Sequence, residues 1–192
     1  MDEKLKNQSD NELVVAYKSG DQMALEALVG RHLSSVYNFV RRFVGEENAS
    51  DVTQETFVRV WKNIKRYDEK RNFKVWLFTI ARRIAIDWTR KRKTTPFSSF
   101  EDENGEPFEV EDFSPSSLEI FQKKEFAGAI ERILGELPPE KKAIVLLHDA
   151  EMLSFKEIAE VVGKPLNTVK SQYRRSIIAL RKIVENGNAP KL

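Results

Sequence analysis

From Asn11 to Val44 the apolar residues return at every third or fourth position, the spacing of one face of an α-helix. Leu13, Ala16 and Tyr17 make a first stripe, Leu25, Leu28 and Val29 a second, and Leu33, Val36, Tyr37, Val40 and Val44 a third. Gly20-Asp21 and Gly45-Glu46 punctuate the run, as glycine does where one helix gives way to another. No stretch sustains alternation with period two, and no proline precedes Pro96. The first half therefore predicts an all-α bundle.

Two further helices are expected in this half. One runs from about Asn48 to Ile64, with Ser50 as its N-cap and Asp51 in its first turn. The other runs from about Asn72 to Arg92. Between Thr95 and Ser117 the helical period is lost, and proline, serine, glycine and acids surround Phe97, Phe100, Phe108 and Phe113. That composition reads as a linker. It divides the 192 residues into two small helical domains, 1–94 and 118–192, joined by an acidic flexible segment, 95–117.

Helicity resumes near Ser117 with Leu118, Phe121, Phe126, Ile130, Ile133 and Leu134. Pro138-Pro139 opens a helix from Glu140 to His148, since proline is tolerated in a first turn. Ser154 and Glu157 form a capping box for a short helix, Phe155 to Val162, with Ile158, Ala159 and Val162 facing inward. Gly163 ends it, and Asn167 is placed to cap the next helix. Val169, Tyr173, Ile177, Leu180 and Val184 form the buried stripe of that last helix. The segment Leu153 to Val184 is thus a helix-turn-helix.

Net charge is only +2, so any electrostatic argument rests on distribution. Arg82, Arg83, Arg90, Lys91, Arg92 and Lys93 stand against Asp87 alone. No basic residue occurs from Thr94 to Gln122, whereas Lys164, Lys170, Arg174, Arg175, Arg181 and Lys182 follow later without an acid among them. Lys170, Ser171, Arg174 and Arg175 lie off the buried stripe of the last helix, on the face that enters a major groove. An amphipathic hairpin with a solvated basic face is the plain alternative. The capping box, glycine turn and helix lengths together favour DNA.

On the third helix Thr53, Phe57, Val60, Trp61 and Ile64 cluster on one side, and Asp51, Gln54, Glu55, Val58 and Lys62 on the other. A convex surface offers no cleft to desolvate two carboxylates, so acid–base catalysis is not expected there. A docking face for a basic partner fits better, although a solvated helix face has the same pattern. On the fourth helix Phe73, Trp76, Leu77, Ile80, Ile84 and Trp88 form the core stripe. Val75, Thr79, Arg82, Arg83, Ile86 and Arg90 remain on an outer face that suits single-stranded nucleic acid. The loop from Arg66 to Asn72 completes a pocket beside it.

Without cysteine and with only His32 and His148, disulfides, thiolate metal sites and histidine-dependent catalysis are not expected. No glycine-rich phosphate loop or nucleophile–base pairing appears. No enzyme activity, metal or cofactor is implied. The N-terminus lacks a signal-peptide apolar core, and no run approaches the roughly 20 apolar residues of a membrane span. A cytoplasmic protein without membrane insertion is expected.

Three segments together, Asp51-Val-Thr-Gln-Glu-Thr-Phe57, Trp76 through Arg82 to Asp87, and Glu157-Ile-Ala through Thr168-Val-Lys-Ser171, resemble the extracytoplasmic-function group of bacterial sigma factors, from about Asp10 to Arg181. The resemblance implies an initiation factor that binds core RNA polymerase, chiefly the β′ clamp helices with contact to the β subunit, through Asp51, Gln54, Glu55 and Val58. It implies that Tyr67, Asn72, Thr79, Arg82, Arg83, Ile86 and Arg90 recognise and melt the promoter element near minus ten. Lys164, Thr168, Lys170, Ser171, Arg174 and Arg175 would read duplex near minus thirty-five. An anti-sigma factor is a further implied partner. Arg83 stands where the family has asparagine, and Asn167 where its recognition helix begins with glycine.

Overall fold

The computed structural model describes residues 5, 7–94 and 128–185. Every regular element among these residues is helical. The first half holds α1 (Asp10–Lys18), α2 (Gln22–Val44), α3 (Glu46–Asn63), a 3-10 turn (Ile64–Arg66) and α4 (Phe73–Thr94). The second holds a helical stretch over 128–135 (α5), then α6 (Pro139–Asp149), α7 (Phe155–Val162) and α8 (Leu166–Ile183). The expected linker, 95–117, and the stripe from Leu118 to Phe126 lie outside the described residues.

The ends of α1 are set locally. Ser9 Oγ accepts from the Glu12 amide at 3.3 Å, and Glu12 Oε2 accepts from the Ser9 amide at 2.7 Å. This reciprocal pair satisfies two helix-end donors. Asp10 then ties α1 to α2: Oδ2 meets His32 Nε2 at 2.7 Å and Oδ1 accepts from Arg31 Nη1 at 2.7 Å. Burial works to raise the Asp10 pKa, but the bonds to His32 and Arg31 outweigh it and hold the carboxyl below its ordinary value.

Between α2 and α3 the chain reverses at Gly45, whose φ of 81° is open to glycine and strained for other residues. Because Gly45 makes the turn, α3 starts at Glu46, and Gly45 holds the N-cap position without a side-chain bond. Ser50 is not the cap; it sits exposed inside the helix. Helix α2 packs on α1, α3 and α4. Phe39 and Phe78 meet edge to face at 5.3 Å, each such ring adding about 1.5–3 kcal/mol by burial.

In the second half α6 is buried along Ala143, Ile144, Val145, Leu146 and Leu147, and α7 and α8 pack on it. Ser154 and Glu157 form the expected capping box, and Gly163 closes α7 in the left-handed region at φ 64°. The Lys164 amide donates to Ala159 O at 3.1 Å, completing a glycine-closed end. Helix α8 begins one residue before Asn167, with Pro165 in the cap position and no side-chain cap bond. Asn167 therefore does not cap it.

The stripe of α8 is covered most deeply near its start. Val169 is fully covered, Ser176 beside Ile177 is buried too, and Val184 is exposed. Tyr173, Ile177 and Leu180 are partly buried against the core cluster. In α7 the inward residues are Ile158, Val161 and Val162.

The two halves are in contact. One buried cluster runs from Leu13 and Val36 through Leu77 to Leu147 and Ile158. The junction is α4 against α7, with a smaller contact to α6.

Candidate nucleic-acid interface

Three faces carry the expected site residues, and each is built differently. On α3 the side toward the core is Val52, Thr53, Thr56 and Val60. Asp51, Gln54, Glu55 and Val58 are all exposed on the other side, with Glu55 accepting from Arg59 Nη2 at 2.7 Å one turn on. Trp61 belongs to this outer face and not to the core, since it is 55% exposed. Its spacing from Val58 and Gln54 is three and seven residues, which is the signal that places it there. An exposed Trp beside an exposed valine, rimmed by carboxylates and an amide, has the make-up of a protein-docking patch.

The second face surrounds the start of α4. A pocket of about 300 Å³ is lined by Arg59, Asn63, Arg66, Tyr67, Trp76, Ile80 and Arg83. Trp76 is only half-buried, and its ring lies 4.8 Å from that of Tyr67. Both are wall as much as core. Tyr67 is 4% exposed, and its hydroxyl sits 2.6 Å from Arg71 O and 3.1 Å from Asn11 Oδ1. Burial, and then the carboxylates of Asp68 and Asp10, push its pKa up to about 12. It stays a neutral donor at neutral pH.

Lys18 pins the loop by donating to Tyr67 O at 2.6 Å and pairing with Glu69. Asn72 is wholly engaged. Its Oδ1 accepts from the amides of Lys74 and Val75 at 2.9 and 3.4 Å, and its Nδ2 donates to Glu157 Oε1 at 2.8 Å.

Further along α4 the structure departs from the expected open face. Val75 and Ile86 are each 7% exposed. The Arg82 side chain, 15% exposed, pairs with Glu140 of α6, and Thr79 bonds back to Val75 O at 2.8 Å. Arg83 and Arg90 are exposed. Lys74 reaches Glu151, whose carboxylate is 6% exposed, at 3.2 Å, and donates to its carbonyl at 2.7 Å. Arg41 meets Glu131 at 3.1 Å, and Lys142 Nζ lies 5.3 Å from the Phe43 ring. Burial, with Arg42 nearby, holds the Lys142 ammonium below its ordinary pKa.

Two atoms in this junction are badly served. Arg41 Nε and Arg82 Nε are buried without a hydrogen-bond partner, which costs about 1–3 kcal/mol each.

The third face is on α8. Lys170, Arg174 and Arg175 are exposed, with Lys164, Thr168 and Ser171 half-buried beside them. Ser171 Oγ donates to Thr168 O at 3.0 Å, so its hydroxyl is turned toward the helix backbone. Beneath the face His148, Phe155 and Tyr173 pack ring on ring at 4.3–5.2 Å, and the Tyr173 hydroxyl donates to Asp149 at 2.8 Å. Partial burial and the Asp149 carboxylate push the Tyr173 pKa up to about 12. Sequence periodicity registered Tyr173 as apolar stripe; its bond to Asp149 needs the fold.

No group of three or more potential metal ligands occurs among the described residues, and none of their helices is long and apolar enough to cross a membrane.

Two family models match, Sigma-70 region 2 over residues 28–95 and Sigma-70 region 4 over residues 127–180. The chain is 33% identical over 168 residues to the ECF RNA polymerase sigma factor SigE of Mycolicibacterium smegmatis, covering 85% of this chain and 63% of that relative's length. It is 30% identical over 172 residues to the ECF RNA polymerase sigma factor SigW of Bacillus subtilis, covering 86% of this chain and 91% of the relative. Among solved structures, CnrH in complex with the cytosolic domain of CnrY gives a TM-score of 0.70 at 23% identity, covering 94% of this chain and 99% of that one. RpoE in complex with the anti-sigma factor NepR from Bartonella quintana gives 0.62 at 21%, covering 82% and 94%. At these identities the solved structures establish the fold alone.

Proposed function

This chain belongs to the extracytoplasmic-function sigma factors of the sigma-70 family, which act in promoter-specific transcription initiation with RNA polymerase, and we propose that its three exposed faces divide that work. The exposed side of α3 docks on core polymerase, at the β′ clamp helices with contact to β, through Asp51, Gln54, Glu55 and Val58, with Trp61 as the large apolar anchor. The start of α4 and the loop before it take the unpaired strand near minus ten. Helix α8 enters the major groove near minus thirty-five with Lys170, Arg174 and Arg175. The units 1–94, 95–117 and 118–192 correspond to docking and melting, linker, and duplex reading. The factor acts in the cytoplasm, where its polymerase is, and catalyses no reaction itself.

The observation that carries the second assignment is the pocket of Arg59, Arg66 and Arg83 around Trp76 and Tyr67. An extruded base gains about 1–3 kcal/mol from an aromatic platform, and guanidinium groups at the rim neutralise its phosphates. Arg83, in place of the family's asparagine, adds a cation to that rim and is expected to alter which base is preferred. An anti-sigma factor remains a proposed partner, supported by the family relationship and by the NepR complex of the structural neighbour.

Run-off transcription by core polymerase over a promoter library tests the whole reading, with selective initiation expected. Joint replacement of Asp51, Gln54 and Glu55 by alanine should abolish polymerase binding, and unchanged affinity would remove the docking assignment. Trp76→Ala should lower promoter opening by roughly tenfold or more, read on duplex templates, while a template already melted near minus ten recovers most of the loss.

A further inference from the structure

No residue of α1 lies on the three faces, yet α1 holds the loop that walls the pocket. Asn11 uses both ends of its amide there: Nδ2 donates to Arg71 O at 3.0 Å, and Oδ1 lies 3.1 Å from the Tyr67 hydroxyl. The same hydroxyl is 2.6 Å from Arg71 O, so Asn11 and Tyr67 together close the loop across its mouth. About two turns further along α1, Lys18 Nζ donates to Tyr67 O at 2.6 Å and pairs with Glu69. Between these ties the chain makes a tight turn, with the Arg71 amide donating to Asp68 O at 3.0 Å and the Lys70 amide to Asp68 Oδ1 at 3.1 Å.

Helix α1 is itself fixed. Leu13 and Val14 are fully buried, and Asp10 holds Arg31 and His32 of α2. The loop is therefore tied to a rigid element 49 to 60 positions away in the chain.

We propose that α1 is the brace of the base pocket, with Asn11 and Lys18 as positioning residues that sharpen its preference among unpaired bases. The inference rests on the reading of that pocket as the minus-ten base site.

The two ties grip Tyr67 at both ends, Asn11 at the ring hydroxyl and Lys18 at the backbone carbonyl. Its ring stands 4.8 Å from that of Trp76 and edge-on to that of Phe73 at 5.6 Å, so a shift of Tyr67 changes the width of the space beside Trp76. The pocket is open and formed without DNA. A site discriminates between shapes only as sharply as its walls are held. A wall free to move refits each base in turn, and the ordering it then pays for is the same for every base.

The test uses the full chain with core polymerase on a responsive promoter, varied through all four bases at each minus-ten position. The position whose preference disappears in Trp76→Ala is the one the pocket takes. There the lead of the preferred base over the next should shrink about fivefold in Asn11→Ala and in Lys18→Met, the worth of one hydrogen bond. Lys18→Arg, which keeps a donor and the pair with Glu69, should retain most of the lead. Asp21→Ala loses the α2 cap bond to the Met23 amide at 3.0 Å, which destabilises the same half without touching the loop, and should leave the lead unchanged. In the free chain, amide exchange across residues 66–71 should quicken in Asn11→Ala and not in Asp21→Ala.

Opening that falls equally on all four bases in Asn11→Ala and Lys18→Met, in step with melting temperature, makes α1 merely structural and overturns the proposal. An undiminished lead, or unchanged exchange in the loop beside a preference that does depend on Trp76, overturns the brace alone. If no minus-ten preference depends on Trp76, the reading of the pocket fails and takes the inference with it.

Discussion

Helices α4 and α8 both carry arginines along one side, and the structure leaves Arg174 and Arg175 of α8 in solvent but ties down Arg82 of α4. The basic side of α8 has Lys170, Arg174 and Arg175 in solvent. That of α4 has Arg82 paired with Glu140, and Val75 and Ile86 under cover. The difference lies in what separates the cations. On α8 the exposed positions are polar or charged, and water or duplex phosphates satisfy them equally. On α4 Val75 and Ile86 share that side with Arg82 and are buried, while Arg83 and Arg90 stay in solvent, so the side mixes apolar and cationic groups.

The largest blow to the comparison is structural. Leu147→Ala, at a fully buried position of α6, should destabilise the fold by about 2–5 kcal/mol. Thermal unfolding should show the loss, with duplex binding by α8 falling alongside it. Next comes the double variant Arg174→Ala with Arg175→Ala. Removing two exposed groups each worth about 1–3 kcal/mol at a base edge should weaken duplex binding by the free chain about 100-fold. Arg82→Ala should leave that affinity unchanged, and an equal loss from Arg82→Ala would erase the distinction between the helices.

Ser154→Ala should lower stability by about 1 kcal/mol through the lost α7 cap. The same cap carries a pH dependence. The Ser154 side-chain bond, opposed by some burial and aided by the Ser154 amide and Asn72, holds the Glu157 carboxyl below its ordinary value of 4.5. A depressed acid contributes stability that is present above its unfolded pKa and lost as pH falls through its folded one. Acid titration monitored by circular dichroism should therefore show a loss below about pH 4.5, smaller in Ser154→Ala. The smallest effect concerns Met152, which is 81% exposed and held at φ 57° between α6 and α7. Relief of left-handed strain at about 1–2 kcal/mol, less the backbone entropy of glycine at about 0.5–1, leaves Met152→Gly more stable by several tenths in a denaturant titration.

Much of the architecture was legible because its signals are local. The Ser154 capping box, the glycine stop at Gly163 and the span Phe155–Val162 agree with the helix found, and Asp51, Gln54, Glu55 and Val58 share one exposed side as their spacing required. The misplacements share a cause. Ser50 and Asn167 have cap chemistry, but the chain turned earlier, at Gly45 and Pro165. Trp61 was grouped with Phe57 and Ile64 by its helical spacing, and it lies outside with Val58, 55% exposed.

Periodicity within a helix thus determined by itself that this chain is helical, where its turns fall, and which residues share a side, because residues three and four apart meet regardless of what surrounds them. Whether a given side meets solvent or protein was decided only by the tertiary structure. Arg82 points outward from its own half and pairs with Glu140, 58 positions away, and no local pattern encodes such a partner. The pocket around Trp76 is likewise an arrangement of α3, the following turn and α4, since a cavity belongs to the packing of elements and to none of them singly.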